Sequence, residues 1–248
     1  ATVNGKDSYL FYNTKDYYNN SGKYTINGDV NAEVKNEAIA FSYAGSSITD
    51  PPVDLSSYLA DSFNVSNGTL NVDISDDSYL FTVTNTGINL SSLNNVQLSG
   101  MNLTGSKKAK MRSVSLNIDV DSNLDKLNNT GNKSYRDIEL VYSNISINNG
   151  ITVSGTEDNQ AGISQAGTYI QLNLTNNGTI DLSGQDTVGI YGEGSILTNN
   201  GVINLKDSLN GTGLYSNQYS YIYSTVTNNS DINIGQNGIG IYGSTGDY

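Results

Sequence analysis

The spacing of apolar side chains along this chain has two distinct textures. In Thr179-Ile180-Asp181-Leu182 and Val202-Ile203-Asn204-Leu205 the apolar residues recur at every second position. That is the period of a strand with one buried face. Spacing of three and four residues, the mark of a helix with a buried stripe, is absent from this part of the chain. Asn-Gly pairs precede the strands, and both residues tolerate the positive φ that a sharp corner demands.

The alternation repeats. Asn148-Asn149-Gly150-Ile151-Thr152-Val153, Asn176-Asn177-Gly178-Thr179-Ile180-Asp181-Leu182, Asn199-Asn200-Gly201-Val202-Ile203-Asn204-Leu205 and Asn228-Asn229-Ser230-Asp231-Ile232-Asn233-Ile234 align, with steps of 28, 23 and 29 residues. Each is followed by a second motif: Gly162-Ile163-Ser164, Gly189-Ile190-Tyr191, Gly213-Leu214-Tyr215 and Gly240-Ile241-Tyr242. Third short strands are predicted over Ile170–Leu174, Ser195–Leu197 and Tyr221–Val226. A period in this range points to a solenoid. Three strands and three turns per repeat make one triangular coil, and the fold expected is an all-β parallel β-helix. Stacked coils place Ile180, Ile203 and Ile232 in one inward ladder and Leu182, Leu205 and Ile234 in another. Each buried aliphatic side chain contributes roughly 1.5–3 kcal/mol. Chain entropy offsets most of the gain of a single coil, so the stack is the unit that folds.

Ahead of Asn144 the strand texture persists but the period blurs. Candidate strands are Tyr24–Val30, Ala38–Tyr43, Thr69–Ile74, Tyr79–Thr84, Gly87–Leu90, Asn95–Leu98, Val114–Val120 and Ile138–Tyr142. One segment departs from period two. After Pro51-Pro52, Asp54 is a candidate N-cap, and Leu55, Tyr58 and Leu59 fall at helical spacing, which predicts a short helix within Ser46–Asp61. The Tyr-rich opening from Tyr9 to Tyr18 is a candidate cap for exposed strand edges. Three regions follow: 1–65, a cap with irregular first coils and a helical excursion; 66–147, irregular coils; and 148–248, regular repeats.

Composition narrows the functions open to this fold. The formal charge is −12, with 12 basic and 24 acidic residues. Nucleic acid and anionic lipid both require a basic footprint, so neither is expected as a partner. From Asn148 onward the one basic residue is Lys206. There is no Cys and no His. Without His a Ser-His-Asp triad cannot be built. Zinc and copper lose their preferred ligands, and no cofactor is expected. No apolar run approaches the ~18 residues of a membrane span, so no membrane contact by this segment is expected. Any export signal or anchor is expected to lie outside the sequence.

Carboxylates remain as candidate chemistry. Asp76-Asp77 reads as a turn. The run Asp119-Val120-Asp121-Ser122-Asn123-Leu124-Asp125 resembles a calcium loop in outline, but it lacks the glycine at the sixth position and has Thr130 where a bidentate Glu belongs. It reads more simply as a solvated turn, and no metal site is expected. Lys107-Lys108-Ala109-Lys110-Met111-Arg112 is the one basic cluster and reads as a solvated loop. Tyrosine, at 18 copies, is the unusual residue. Tyr191, Tyr215 and Tyr242 each follow an inward Ile or Leu and are expected to form an outward ladder. Tyr215, Tyr219, Tyr221 and Tyr223 fall within nine residues, where a coil is enlarged. An outward tyrosine offers flat apolar area with a hydroxyl, which suits protein and sugar contacts alike. These six tyrosines are the candidate ligand surface.

The recurring Asn-Asn-Gly-x-Ile-x-Leu followed by Gly-Ile-Tyr-Gly, as in residues 176–192 and 228–243, resembles the passenger repeats of large fusobacterial autotransporter adhesins. Ala38-Ile39-Ala40-Phe41 and Asp77-Ser78-Tyr79-Leu80-Phe81 are similar to their passenger sequence too. The resemblance implies a right-handed parallel β-helix, carried to the bacterial cell surface and joined to a C-terminal outer-membrane barrel. It implies a non-enzymatic role in adhesion to a host-cell or bacterial surface protein or glycan. No catalytic residue transfers with it. The alternatives are a structural stalk that holds a binding tip elsewhere, and a carbohydrate-active β-helix enzyme working through clustered carboxylates.

Overall fold

The computed structural model describes residues 1–12, 23–126, 134–135, 138–166 and 169–244. Strands hold 54% of the chain and helices 7%, so the fold is mostly β. The sheets are parallel. Two compact units are present: Ala1–Val114 with Asp137–Glu139, and Ser115–Arg136 with Leu140–Tyr248.

In the first unit, Thr2–Asn4, Val30–Lys35, Leu70–Ile74 and Met101–Gly105 form one parallel sheet. Tyr9–Phe11, Ile39–Ala44, Tyr79–Thr84 and Ala109–Arg112 share a second. Two short pairs, Pro52–Val53 with Gly87–Asn89 and Tyr24–Asn27 with Phe63–Ser66, complete it. Successive strands are thus dealt to different sheets and return to each in turn. The return distance is long: Asn71 bonds Asn31 across 40 residues and Asn102 bonds Asn71 across 31. Phe11, Phe41, Phe63 and Phe81, all the phenylalanines of the chain, meet in one cluster. Phe41 stacks on Phe11 at 5.7 Å and lies 5.4 Å from Phe81 and 5.6 Å from Phe63.

The extra length of these repeats goes partly into helices. The first, α1 (Leu55–Ser62), starts as expected at Asp54, whose carboxylate accepts from the Ser56 amide at 3.0 Å. Its Leu55 and Leu59 are buried. A second helix, α2 (Leu90–Asn94), replaces the strand expected over Gly87–Leu90 beyond Asn89, and residues 95–98 form no strand. Leu90 and Leu93, three residues apart and both buried, carry the helical spacing that a reading for period two passes over. The two helices are tied by the Ser92 hydroxyl, which accepts from the Leu55 amide at 2.9 Å.

The basic cluster is also corrected. Ala109–Arg112 is a strand, with Ala109 and Met111 buried between outward Lys110 and Arg112. Lys110 pairs with Asp7 at 3.0 Å, and its ammonium lies 4.5 Å from the centre of the Tyr79 ring. Of the Tyr-rich opening, Tyr9–Phe11 is a paired strand, while Tyr17 and Tyr18 lie outside the described residues.

The second unit holds three parallel sheets. The first comprises Ser115–Ile118, Asn144–Ile147, Asn173–Asn176, Ile196–Asn199 and Thr225–Asn228. The second comprises Ser122–Asn123, Thr152–Gly155, Thr179–Leu182, Val202–Leu205 and Ile232–Ile234. The third comprises Ala161–Gln165, Val188–Glu193, Thr212–Asn217 and Ile239–Ser244. From Asn144 onward the chain visits the three in strict rotation. Val153, Ile180, Ile203 and Ile232 are register partners along the second sheet, and the first three are fully buried.

The third strand of each repeat starts later than its sequence suggests, at Asn173 and Thr225, and it ends on the first Asn of the Asn-Asn motif. That Asn is an interior residue. Asn176 and Asn199 are fully buried, with Asn176 donating to Asn199 and Asn199 to Asn228, each at 2.8 Å. Their neighbours Asn177, Asn200 and Asn229 form a parallel exposed ladder at 2.9 and 2.8 Å. A buried amide must have its partners, and here each row supplies the partner of the next.

Candidate functional site

The tyrosine surface belongs to the second unit and begins with the Gly-Ile-Tyr motif. A side chain on Gly189 would place its Cβ 2.5 Å from the Gly213 carbonyl oxygen, and one on Gly213 would lie 2.5 Å from that of Gly240. Glycine therefore lets each row sit close on the next. Ile190, Leu214 and Ile241 are in register beyond it, and strand alternation turns the following Tyr outward. Tyr191, Tyr215 and Tyr242 are register partners with ring centres 5.2 and 4.9 Å apart, tilted by 44° and 43°. Burial, and then the hydrogen bond that Tyr191 donates to Glu193, push the Tyr191 hydroxyl well above the usual tyrosine range. This ladder is partly buried and its first hydroxyl is engaged.

The remaining candidates occupy the turn after Thr212–Asn217. Tyr219 and Ile222 exchange backbone hydrogen bonds of 3.1 and 2.9 Å and close a tight hairpin. Ser220, at φ +52°, makes the corner. The Ser224 hydroxyl donates to the Asn217 carbonyl at 2.7 Å and accepts from the Ser195 amide at 3.1 Å. Held this way, the hairpin lifts Tyr221 to 93% exposure and Tyr223 to 68%.

Two residues outside the sequence-level candidates join it. Tyr169 packs edge-on against Tyr219 at 5.5 Å and is 77% exposed, with Ile170 exposed beside it. The Gln171 side-chain amide donates to the Tyr223 carbonyl at 3.0 Å. Residues 169–171 and 217–224 reach each other across the short turn between Glu193 and Ile196. There Gly194, at φ +58°, leaves room for Tyr219 and Ile222 to settle on its backbone. The sequence held a signal for this. The repeat that carries Tyr169 is 28 residues long against 23 for the next, and most of its surplus falls between Gly162 and Asn176.

The structure thus places Tyr219, Tyr221 and Tyr223 on one hairpin, with Tyr169 packed against Tyr219, and it sets Tyr191, Tyr215 and Tyr242 in a row of tilted rings. The carboxylates have other work. Asp121 accepts from the Thr152 amide at 2.8 Å. Asp125 accepts from the Thr156 amide at 2.6 Å, its hydroxyl at 2.8 Å and the Gln160 side chain at 2.9 Å. Burial pushes the Asp125 carboxyl up, but these bonds outweigh it and hold it below the usual range. Both acids tie one row to the next, and the freely solvated turn expected there is corrected accordingly. Thr130 lies outside the described residues. Asp77 is engaged by the hydroxyls of Ser75 and Ser78, which lower its pKa. Among the described residues, no group of three or more His, Cys, Asp or Glu is placed to hold a metal ion, and no helix is long and apolar enough to cross a membrane.

Comparison with protein-family models, curated proteins and solved structures finds no match.

Proposed function

We propose that this chain is a non-enzymatic segment of a bacterial cell-surface adhesin, with its parallel sheets wound as a right-handed β-helix. Of its tyrosine surface, the exposed hairpin residues Tyr221 and Tyr223 bind a protein or glycan on a host or bacterial cell. The rotation of strands among sheets and the register of Ile180 on Ile203 support the winding. The observation that carries the binding reading is the hairpin at 217–224. It is ordered by its own hydrogen bonds yet spends them on presenting Tyr221 and Tyr223 to solvent. Large side chains are exposed at little benefit to folding, and rigid aromatic residues suit recognition because they lose little freedom on binding. The resemblance of the Asn-Asn-Gly and Gly-Ile-Tyr repeats to fusobacterial passenger sequence supports the cell-surface setting and a barrel anchor elsewhere in the protein.

The test is binding of the purified, fluorescently labelled chain to epithelial cells and to partner bacteria. Saturable binding that falls at least about tenfold in a Tyr221→Ala/Tyr223→Ala double variant, with an unchanged melting curve, supports the proposal. Binding that the double variant retains moves the ligand away from this surface. Absence of saturable binding by the unmodified chain sinks the proposal.

The stalk reading has its own support, since the ladders of asparagine satisfy one another row by row and ask for no outside partner. A length-preserving replacement of this segment in the whole adhesin distinguishes the two: adhesion survives if the segment only spaces.

A further inference from the structure

Eight asparagines of this chain stand immediately before a glycine: Asn4, Asn27, Asn67, Asn149, Asn177, Asn200, Asn210 and Asn237. Such a pair carries its own reagents, a side-chain amide and a following backbone nitrogen that glycine leaves without steric cover. The fold decides which pair is at liberty to react. Asn4 and Asn27 accept from the Asn36 and Asn67 side chains, and the Gly5 and Gly28 amides donate to the carbonyls of Lys35 and Ser66. Asn210 donates to Asp186 at 3.0 Å. Asn177 donates to Ser146 and accepts from Asn200. The Gly178 amide donates to the Asn176 side chain at 3.1 Å, and that of Gly201 to the Asn176 carbonyl at 3.0 Å. The Gly238 amide donates to the Gly235 carbonyl at 3.3 Å. At Asn149 and Gly150, by contrast, neither the side chain nor the glycine amide has a hydrogen-bond partner among the described residues.

We infer that Asn149 is a self-modifying site, converted in the folded chain to aspartate and isoaspartate by the backbone nitrogen of Gly150. The reason lies in the register. Ile147 is the partner of Asn176, and Thr152 of Thr179. The first row therefore spends residues 148–151 on a corner that the next row turns with Asn177 and Gly178 alone. Asn149 and Gly150 are the surplus and are exposed. Gly178 and Gly201 sit hard on the row before them, where a Cβ would lie 2.2 Å from the Ile151 carbonyl oxygen and 2.0 Å from that of Gly178. Gly150 turns at φ +78° with nothing within 4 Å of the same position. The turn is closed by a bond of 3.2 Å from the Ile151 amide to the Asn148 carbonyl, and the peptide inside it is free to swing. The Gly150 nitrogen, giving its proton to water, then bonds to the Asn149 side-chain carbon, and ammonia leaves. Water opens the resulting five-membered imide at either carbonyl. In balance, a carboxamide and a water become a carboxylate and an ammonium ion. The product adds an acid to the part of the chain whose one basic residue is Lys206. It leaves the ladder of Asn177, Asn200 and Asn229 intact. The inference does not depend on the adhesin reading.

The experiment incubates the purified chain in mildly alkaline buffer and reads each asparagine over time by peptide mass spectrometry, with isoaspartyl methyltransferase labelling to count isoaspartate. Asn149 is expected to convert at least about tenfold faster than Asn177 and Asn200, with Asn237 next in order. In denaturant the eight pairs are expected to converge on similar rates. Asn149→Ser cannot form the imide and is expected to remove the fast phase while leaving the melting curve unchanged. Another pair converting first in the folded chain overturns the inference. So does an equal lead for Asn149 in denaturant, which would assign the preference to local sequence and not to the fold. Asn149 still intact in the folded chain once the denatured chain has reacted fully overturns it as well.

Discussion

The first unit gathers its phenylalanines in the interior, and the second sets a row of tyrosines on an outer face. In the first unit the strand of Phe41 turns its ring inward to meet Phe11, Phe63 and Phe81. In the second unit, which contains no phenylalanine, Ile and Leu fill the interior, and tyrosines follow them onto the outer face. Repeat length accounts for part of the difference. Rows of 23 to 29 residues close over small aliphatic side chains, while a row of 40 residues encloses space that aromatic rings and α1 fill. An aromatic residue inside a sheet is accounted for by packing. One outside is available for something else.

The comparison is tested most strongly in the two interiors. Phe41→Ala removes a ring that touches three others from a buried position, and a loss of about 3–5 kcal/mol is expected. Ile203→Ala, in the aliphatic ladder between Ile180 and Ile232, is expected to cost about 2–5 kcal/mol. Hydrogen exchange resolved by residue separates the two. Phe41→Ala should speed exchange mainly in the first unit and Ile203→Ala mainly in the second. Uniform acceleration in both would show that aromatic and aliphatic interiors do not define separate units of stability.

A smaller effect distinguishes the paired asparagine ladders within the second unit. Asn199→Ala takes away the acceptor of buried Asn176 and the donor to Asn228, and should cost about 1–3 kcal/mol. Asn200→Ala interrupts the exposed ladder beside it, where water replaces the lost bonds. Its cost should stay within about 0.5 kcal/mol. Chemical denaturation of the two variants measures the gap. Equal costs would mean that burial of the first ladder adds nothing.

Acid sharpens the contrast further. The carboxyl of Asp125 titrates below its unfolded value, ~3.9 for an aspartate, despite the opposing effect of burial. Its stabilising bonds to Thr156, Gln160 and Glu157 are therefore fully present above that pH and are lost as pH falls through the folded value. Thermal melts between pH 6 and about 3 should show the second unit losing stability on acidification, with a shallower dependence in Asp125→Asn. An unchanged slope in that variant would assign the acid sensitivity to other carboxylates.

How much of this was legible beforehand divides along the same line. In the second unit the register of Ile180 on Ile203 and the outward turn of Tyr191, Tyr215 and Tyr242 follow from period two and a repeated Asn-Gly corner. The interior position of Asn176 does not. A polar residue next to a turn reads as solvent-facing until the row above it supplies its partner. In the first unit α1 was legible because Asp54 and Leu55-x-x-Tyr58-Leu59 announce it locally. The five-residue α2 holds only Leu90 and Leu93, too few to outweigh the surrounding alternation. Asp125 and Tyr169 were read wrongly or passed over for one reason: each is explained by a residue on a neighbouring row, which no local pattern displays.

The smallest expected change in stability is also the most informative about function. Tyr215 lies between Tyr191 and Tyr242, with rings 5.2 and 4.9 Å away, and Tyr215→Ala should cost about 0.5–1.5 kcal/mol through lost ring contacts. Tyr221, at 93% exposure, has little contact to lose, and Tyr221→Ala should shift stability by no more than about 0.5 kcal/mol. If the ladder exists to join rows and the hairpin exists to meet a partner, the two variants part in opposite senses. Tyr215→Ala lowers the melting temperature and spares cell binding, whereas Tyr221→Ala spares the melting temperature and weakens cell binding. A Tyr221→Ala chain that melts early would make the hairpin a structural brace. The tyrosines of the second unit would then be packing residues that happen to lie outside, as the phenylalanines of the first unit are packing residues inside.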